Sequence, residues 1–425
     1  MRTLYLNDKN YDVYLAKLAL SRALSKELNF SNEFDEEFEN SVREFQNAKE
    51  IDVDGIFGPR TWQAALPFLY SFTVHTVSPG DTFYTLSEYY STDINLIKRA
   101  NPDINAKNIQ TGSKLVIPYN FDVVTDKIPY SYLLTQFTLY GLAARYPFLE
   151  LSSAGNSVTG KSLYTVKIGR GKKEYFYNAS HHANEWITTP LLLKFIEEYS
   201  RSYVNGENIG KRGAIFLYNT SSLYIIPLVN PDGVDLVNQV FLTDNPYYRS
   251  ALEISENYPL VPFPSGWKAN ILGTDLNLNY PAYWEEAKRI KYEQGFNSPA
   301  PRDFVGENPL SAVESKAVYD FTKNHNFSLT LSYHTQGEVI YWKFLDFNPE
   351  GSLEIAESFA KTSGYQVSET PFRSGFAGYK DWFISEYNLP GYTIEVGKGE
   401  NPLPISQLEN IYQKNLGILT DALTF

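Results

Sequence analysis

The 425-residue chain contains no cysteine, and this absence limits both its covalent and its metal chemistry. Disulfide bonds are excluded, and any transition-metal site has to be built from histidine and carboxylate side chains. Histidine is itself scarce, with five residues in the whole chain. A stretch that places two of them side by side is therefore the first candidate for a functional site.

An excess of positive charge and long apolar runs are also missing. The net charge is −12, whereas nucleic-acid-binding domains are usually basic, so we predict no nucleic-acid partner. The start of the chain, MRTLYLNDKNYDVYLAKLAL, lacks a basic segment followed by an unbroken apolar run. We therefore expect neither a signal peptide nor a membrane span. The hydrophobic content of 43% and charged content of 20% are those of a globular protein.

Residues 1–70 have the pattern of a small all-helical domain. Apolar residues recur at helical spacing in YDVYLAKLALSRAL and FENSVREFQNAKEI, and the proline of PRTWQAAL is typical of a first helical position. The string VREFQNAKEIDVDGIFGPRTWQAAL resembles the peptidoglycan-binding domain of bacterial cell-wall hydrolases. The alternative is an ordinary three-helix module, against which the specific order of FQ, VDGIFGP and TW argues.

Residues 71–120 predict a second small domain with the order strand, helix, helix, strand. TVHTV alternates like a strand, SPGD supplies a turn and a helix cap, and SKLVIPY closes the unit as a second strand. The segment resembles a LysM domain in its V-x-x-G-D-T, L-I-x-x-A-N and G-x-x-L-x-I-P elements. That resemblance implies binding to glycans that contain N-acetylglucosamine. We expect His75, in the first strand, to be structural.

Residues 121–425 predict one large α/β domain. Strand-like runs such as SLYTVKIG, EYFYNAS, LYIIPLV, LTLSYHT and GYTIEVG are separated by helical runs such as TTPLLLKFIEEYSRSY, SAVESKAVYDFTKNH and LEIAESFAKTSG. Strands that alternate with helices favour a mixed, mostly parallel sheet covered on both faces. Ligands of such sheets gather beyond the carboxyl ends of the strands.

Polar side chains follow three of these predicted strands. His182 and Glu185 lie in the stretch NASHHANEWIT (178–188), His334 ends LTLSY, and Glu395 lies within GYTIEVG. An H-x-x-E pair alone is a weak signal. Joined by a third ligand from a distant strand, it matches the two-histidine, one-glutamate set that holds catalytic zinc with one open position. The remaining glutamate would then be free to act as a general base.

At this point the chain resembles the zinc metallocarboxypeptidase family. HHANEWIT resembles its H-x-x-E-W-I motif, and IIPLVNPDGV, GTDLNLNYP, LSYHTQG and YTIEVG follow in the family order over about 300 residues. The resemblance implies that His182, Glu185 and His334 bind one zinc ion and that Glu395 is the base. It makes His181 a neighbour of the ligands, either at the cleft or in contact with a ligand.

Two longer segments resemble bacterial γ-D-glutamyl-L-diamino acid endopeptidases. They are SGWKANILGTDLNLNYPAYWEEA and IEVGKGENPLP. This resemblance implies a zinc-dependent peptidoglycan hydrolase that cuts the γ-D-glutamyl-diaminopimelate bond of cell-wall stem peptides, while the N-terminal domains hold it on the polymer. With no leader visible, we expect a cytoplasmic or spore-associated protein that acts on the cell wall. An extracellular location stays open.

The family's cationic residue that stabilises the tetrahedral intermediate has two candidates here, Lys268 and Asn270 in GWKAN. Lys268 could equally be a solvated surface charge. Asn277 matches an asparagine that helps to grip a substrate carboxylate. The arginine that follows it in ordinary carboxypeptidases is replaced by Leu278.

The family's cleft tyrosine is harder to place. PFRSGFAGYKDW offers Tyr379 and Arg373 near its expected location, and we expect Arg373 to contact a substrate carboxylate. Two other functions compete with the main prediction. One is an ordinary zinc carboxypeptidase, and the other is a cell-wall or spore-coat binding protein with an inactive catalytic domain. The complete set of ligands and base argues against the inactive domain.

Overall fold

The computed structural model describes residues 1–425, which form two compact units. The first unit comprises residues 1–128 and 133–150, and the second comprises residues 129–132 and 151–425. The first unit therefore includes most of a helix that we had expected to belong to the third domain. None of the helices combines the length and the apolar character needed to cross a bilayer.

The first unit begins with three helices, as predicted. They are α1 (Tyr11–Leu24), α2 (Glu36–Ala48) and α3 (Pro59–Tyr70). Asn10 and Asp35 cap the first two by accepting hydrogen bonds from backbone amides of the first turn. Pro59 occupies the first turn of α3, where its missing N–H costs no hydrogen bond.

The LysM-like segment has the predicted strand–helix–helix–strand order. Its elements are β1 (Phe72–Thr76), α4 (Phe83–Tyr89), α5 (Ile94–Ala100) and β2 (Lys114–Pro118), and helix α6 (Tyr132–Arg145) follows. The two strands pair in antiparallel fashion. His75 lies 2.8 Å from Asp81 through Nε2 and 3.0 Å from the Tyr90 hydroxyl through Nδ1. These contacts fit the structural role expected of His75.

The second unit is built on an eight-stranded sheet in the order β11-β10-β12-β9-β5-β8-β4-β3. The strands are β3 (Glu150–Asn156), β4 (Ser162–Gly169), β5 (Lys173–Ala179), β8 (Ser221–Ile226), β9 (Phe327–Thr335), β10 (Val339–Tyr341), β11 (Gln366–Ser368) and β12 (Gly391–Val396). A separate short hairpin consists of β6 (Asn208–Ile209) and β7 (Arg212–Gly213).

The central strands β12, β9, β5 and β8 are mutually parallel. Strand β4 pairs with β8 in the antiparallel sense, and β10 is antiparallel to β12 but parallel to β11. The helices of this unit are α7 (Thr188–Asn205), α8 (Ala214–Thr220), α9 (Pro231–Val237), α10 (Pro246–Glu256), α11 (Trp284–Glu293), α12 (Val313–Lys323), α13 (Ser352–Ser363), α14 (Tyr379–Tyr387) and α15 (Leu408–Asp421). The prediction of a mixed, mostly parallel α/β domain is confirmed. Strands β5, β9 and β12 are buried almost throughout, which agrees with their continuous apolar runs.

Candidate metal centre and active site

Three neighbouring parallel strands bring the predicted site residues to one edge of the sheet. His182 and Glu185 follow β5, with Glu185 ending a 3₁₀ turn over Ala183–Glu185. His334 is the penultimate residue of β9, and its register partner on β12 is Glu395. Because β9 lies between β5 and β12, these residues from three distant segments of the sequence meet at the carboxyl ends of the strands.

The donor atoms of three residues form a tight cluster. His182 Nδ1 lies 3.1 Å from Glu185 Oε1 and 3.2 Å from His334 Nδ1, and His334 Nδ1 lies 3.0 Å from Glu185 Oε2. Tetrahedral zinc at its usual ligand distances separates neighbouring donors by about 3.3 Å. The Nδ1 atoms of His182 and His334 face each other, and they can form a hydrogen bond only if one of them carries a proton. Without that proton both nitrogens can donate a lone pair to the same metal cation. The donor set therefore fits a zinc ion.

Backbone and side-chain contacts hold these ligands in place. Glu185 Oε2 accepts a hydrogen bond from the Thr335 amide at 3.1 Å. The Ser180 amide donates to Thr188 Oγ1 at 3.0 Å, which closes the turn between β5 and α7. His182 Nε2 lies 3.0 Å from Asp275 Oδ1. Such a carboxylate fixes the ring orientation of a metal-binding histidine and leaves Nδ1 free for the metal.

The sequence did not single out Asp275. Burial by itself raises the pKa of this carboxyl group, but the His182 charge and hydrogen bond and the Lys268 charge hold it well below its usual value. Asp275 therefore stays ionised beside the ligand histidine. Burial likewise lowers the pKa of His182, and the Glu185 carboxylate outweighs that effect and raises the pKa to about 9. Metal binding must then displace a proton from this ring.

Glu395 has the environment of a tuned acid–base group. It is half-buried at the pocket, and burial together with the nearby Glu185 charge raises its pKa to about 8. A divalent cation at the ligand set adds positive charge and acts in the opposite direction. A carboxyl group whose pKa lies near neutrality is suited to both accepting and returning a proton.

The pocket around these groups encloses about 250 Å³. Its lining is strongly polar and includes His182, Glu185, Lys268, Asp275, Asn277, Leu278, Lys291, Arg302, Asp303, His334, Tyr341, Thr370, Ser374, Lys380, Asp381 and Glu395. We call this the active-site pocket. Beyond the four core residues it contains Lys268, Asn277 and Leu278 from the sequence prediction, whereas Arg302 and Tyr341 had no recognisable signal.

The two residues considered for stabilising the tetrahedral intermediate, Lys268 and Asn270, lie in different environments. Lys268 Nζ lies 2.9 Å from Glu185 Oε1 in the active-site pocket, and although burial lowers its pKa, the Glu185 charge raises it overall. Asn270 is fully buried and shapes a loop: it donates to Glu314 at 3.0 Å and accepts from the Thr274 amide at 3.0 Å. Of these two residues, only Lys268 lines the active-site pocket.

Of the remaining candidates, Asn277 lines the active-site pocket, whereas Tyr379 and Arg373 do not. Asn277 lines the active-site pocket, and its Oδ1 accepts a hydrogen bond from the Tyr379 amide at 3.0 Å. The ring of Tyr379 is fully buried, and its hydroxyl lies 3.0 Å from Thr322 Oγ1, so the structure does not place it at the pocket. Arg373 is exposed in a 3₁₀ turn beside the pocket residue Ser374 but does not itself line the pocket.

His181, the second histidine of the opening pair, is fully buried. Its Nε2 lies 3.0 Å from the Tyr280 hydroxyl, and its ring stacks on His334 with centroids 5.9 Å apart. Burial lowers its pKa well below the usual value and keeps the ring neutral. His181 therefore supports a ligand from behind and does not line the cleft.

A parallel sheet edge that holds two histidines and one glutamate, with a second glutamate of raised pKa beside them, has the features of a metallohydrolase centre. Sequence comparison gives the particular class. A zinc carboxypeptidase model matches residues 136–417, a LysM model matches residues 75–118, and a peptidoglycan-binding-domain model matches residues 9–65. The chain belongs to the zinc carboxypeptidase family, and its metal is zinc.

Two relatives and two solved structures show the range of similarity. Gamma-D-glutamyl-L-diamino acid endopeptidase 1 of Lysinibacillus sphaericus is 38% identical over 80% of this chain and 97% of its own length. Carboxypeptidase B of Bos taurus is 24% identical over 61% of each chain. The structure of bovine thrombin-activatable fibrinolysis inhibitor superposes with a TM-score of 0.54 at 19% identity, covering 70% of this chain and 97% of the other. Carboxypeptidase A of Helicoverpa armigera gives 0.52 at 19% identity, covering 80% of each. The two structural matches show a shared fold.

Proposed function

We propose that this protein is a zinc-dependent peptidoglycan hydrolase that cuts the bond between γ-linked D-glutamate and a diamino acid in cell-wall stem peptides. The observation that carries the proposal is the combination of an intact zinc and base set with Leu278 at the pocket, where a carboxypeptidase would carry its carboxylate-binding arginine. The relative from Lysinibacillus sphaericus, which matches over nearly its whole length, bears the name of this activity.

Leucine at this position disfavours ordinary carboxypeptidase substrates. A guanidinium binds a terminal carboxylate through two parallel hydrogen bonds, and the Leu278 side chain has no donor. The terminal carboxylate of an ordinary peptide would enter the pocket poorly paired, and an unpaired buried charge is costly. A stem peptide has additional carboxylates on its D-glutamate and diaminopimelate residues, so other side chains of the pocket can bind it.

The residues divide the chemistry among them. His182, Glu185 and His334 would hold the zinc ion, which would supply polarisation of the scissile carbonyl and a lowered pKa of water, toward about 7. Glu395 removes a proton from the attacking water and returns it to the leaving amine. Positioned acid–base catalysis of this kind contributes roughly 10²- to 10⁴-fold. Lys268 stabilises the negative charge that develops on the carbonyl oxygen.

The N-terminal modules fit the same polymer. We infer three domains, at residues 1–70, 71–120 and 121–425, of which the first two bind peptidoglycan glycan strands and the third cuts the peptides attached to them. Holding the catalytic domain on its substrate raises the local concentration of stem peptides without a new catalytic contact. The protein would accordingly act on the cell wall.

The proposal can be tested with purified muropeptides and the full-length chain. Mass spectrometry after incubation should show products that end in γ-D-glutamate and products that begin with the diamino acid. A parallel assay compares kcat/KM on L-Ala-γ-D-Glu-diaminopimelate with kcat/KM on a blocked L-dipeptide ending in Phe or Lys. An equal or higher value on the dipeptide would make the protein an ordinary zinc carboxypeptidase.

A further inference from the structure

Four basic side chains line the active-site pocket: Lys268, Lys291, Arg302 and Lys380. The three lysines are each held by neighbouring protein groups. Lys268 contacts the ligand carboxylate, as described above, and Lys291 lies against Asp303. Lys380 is buried and donates to a backbone carbonyl at 2.8 Å and to a threonine hydroxyl at 3.1 Å. Arg302 is the one arginine among the four, and its guanidinium is the group of the pocket that can offer two parallel N–H donors to one acceptor.

The guanidinium of Arg302 makes one hydrogen bond, from Nε to Asp303 Oδ2. Its two terminal nitrogens have no partner in the protein, and 44% of the side chain is exposed. Exposure alone would suit a solvated charge. Here the Nε contact fixes the plane of the guanidinium and leaves its outer donors available to a bound group.

The backbone that carries Arg302 is tied to the metal centre. The Asp303 amide donates to Asp275 Oδ2 at 3.1 Å, and the other oxygen of Asp275 contacts the ligand His182. On the other side, the Pro301 carbonyl accepts a hydrogen bond from the Lys268 amide at 2.7 Å. The two chain neighbours of Arg302, Pro301 and Asp303, are therefore each hydrogen-bonded to a segment beside the candidate zinc ligands.

Asp303 adopts a left-handed backbone conformation, with φ of +66°. A residue other than glycine pays a steric cost there, and aspartate tolerates it better than most. Its two carboxylate oxygens are held by Lys291 and Arg302, and its amide by Asp275. Strained backbone that is held from several sides is typical of functional sites, where it fixes the direction of a neighbouring side chain.

We propose that Arg302 binds a carboxylate of the substrate and takes over the task that Leu278 cannot perform. This inference rests on the proposed function, because that function supplies the occupant: either the α-carboxylate of the γ-linked D-glutamate or a carboxylate on the side chain of diaminopimelate. Both offer the planar, two-oxygen acceptor that a guanidinium fork matches. Arg302 is a substrate-binding residue that sets specificity and takes no part in proton transfer.

The test measures kcat and KM of the full-length zinc enzyme and of its Arg302→Gln and Arg302→Lys variants on three substrates. The parent is L-Ala-γ-D-Glu-diaminopimelate. One analogue carries D-isoglutamine, whose α-carboxylate is amidated, and the other carries L-lysine in place of diaminopimelate. Arg289→Gln is the matched control, since this arginine is exposed on α11, pairs with Glu286 and lies outside the pocket.

On the parent, Arg302→Gln should lower kcat/KM roughly 10- to 100-fold, the usual range for losing hydrogen bonds to a charged group. Arg302→Lys should fall between that variant and the wild type, because an ammonium cannot bind bidentately. On the analogue that lacks the carboxylate bound by Arg302, the loss in kcat/KM should shrink to less than about threefold. On the other analogue the full loss in kcat/KM should persist. That pattern identifies which carboxylate Arg302 meets.

Zinc content and thermal unfolding of each variant establish that the fold and the metal are retained. An equal loss on all three substrates, or no loss on the parent, would overturn the role of Arg302 while leaving the proposed function intact. A wild-type enzyme that cuts none of the γ-D-glutamyl substrates but cuts the blocked dipeptide would instead overturn the proposed function and this inference with it.

Discussion

The contact between Asp275 and His182 allows a quantitative prediction about metal affinity. Asp275→Asn preserves the size of the side chain but removes its charge. Oδ1 of Asp275 accepts from His182 Nε2 at 3.0 Å, and Oδ2 accepts from the Asp303 amide at 3.1 Å. An asparagine has one oxygen for these two donors, so its NH₂ group must face either the histidine or the backbone N–H.

In one orientation the hydrogen bond from the Asp303 amide is lost, and in the other the hydrogen bond with His182 Nε2 is reversed. If the NH₂ faces His182, the ring is pushed toward the tautomer that carries its proton on Nδ1, the atom that would bind zinc. Changes at such outer contacts typically weaken metal binding by 10- to 100-fold, which corresponds to about 1.4 to 2.7 kcal/mol. We expect Asp275→Asn to fall within this range.

The assay is a competition titration of zinc against a chromogenic chelator near neutral pH, with thermal unfolding of the metal-free protein as a check on the fold. Asp320→Asn is the matched control, because Asp320 is an exposed residue of α12 paired with Lys316. A zinc dissociation constant for Asp275→Asn within about twofold of wild type, against the 10-fold minimum expected, would refute the reasoning. Equal weakening by Asp320→Asn would do the same.

Three further predictions concern the site and its support. His182→Ala, Glu185→Ala and His334→Ala should each lose zinc and activity, measured by atomic absorption and stem-peptide hydrolysis. Glu395→Gln should keep zinc and fold but retain less than about a tenth of kcat, because an amide cannot accept the proton. Burial raises the pKa of Glu314 above its usual 4.5, so the folded state holds a proton that the unfolded state releases, and stability falls as pH rises above that value. Glu314→Gln should therefore flatten the decline in the free energy of unfolding as the pH rises above 4.5, measured by urea denaturation.

Control substitutions away from the site distinguish these effects from a general loss of folding. His75→Ala, in the LysM-like segment, should keep its zinc. Glu357→Gln, on the exposed face of α13, should keep both wild-type kcat and the wild-type pH dependence of stability. Full zinc occupancy in any ligand variant would remove that residue from the metal's coordination sphere. A Glu314→Gln profile parallel to wild type would show that this carboxyl group carries no excess proton in the folded state.

The convergence of the candidate ligands and the candidate base could be predicted because these residues lie at strand ends. Once β5, β9 and β12 are recognised as parallel strands of one sheet, their carboxyl ends must meet at one edge. His182, His334 and Glu395 follow from that topology, and the chain holds too few histidines for many alternatives. The helix and strand patterns of the three segments were equally regular, and the structure confirms them.

The pocket wall could not be predicted in the same way, because long-range hydrogen bonds determine the conformations of its loops. Asp275 and Arg302 depend on a segment near residue 302 that bonds to a segment near residue 270, and no local pattern encodes that pairing. Tyr379 illustrates the opposite case. Its place in the sequence pointed to the cleft, yet it opens helix α14 and packs into the core against Phe176 and Tyr280.

The register that pairs His334 with Glu395 ties one proposed metal ligand to the proposed base through the backbone of two adjacent buried strands. A shift of either strand by one residue would turn that strand's own site residue, His334 on β9 or Glu395 on β12, to the opposite face. Sequence drift in these strands is therefore restricted by the site and by packing at once. The exposed turn that carries Arg373 is under no such double restriction. Specificity for one substrate over another can therefore evolve in that turn, while the residues of the metal and base set stay fixed by the sheet.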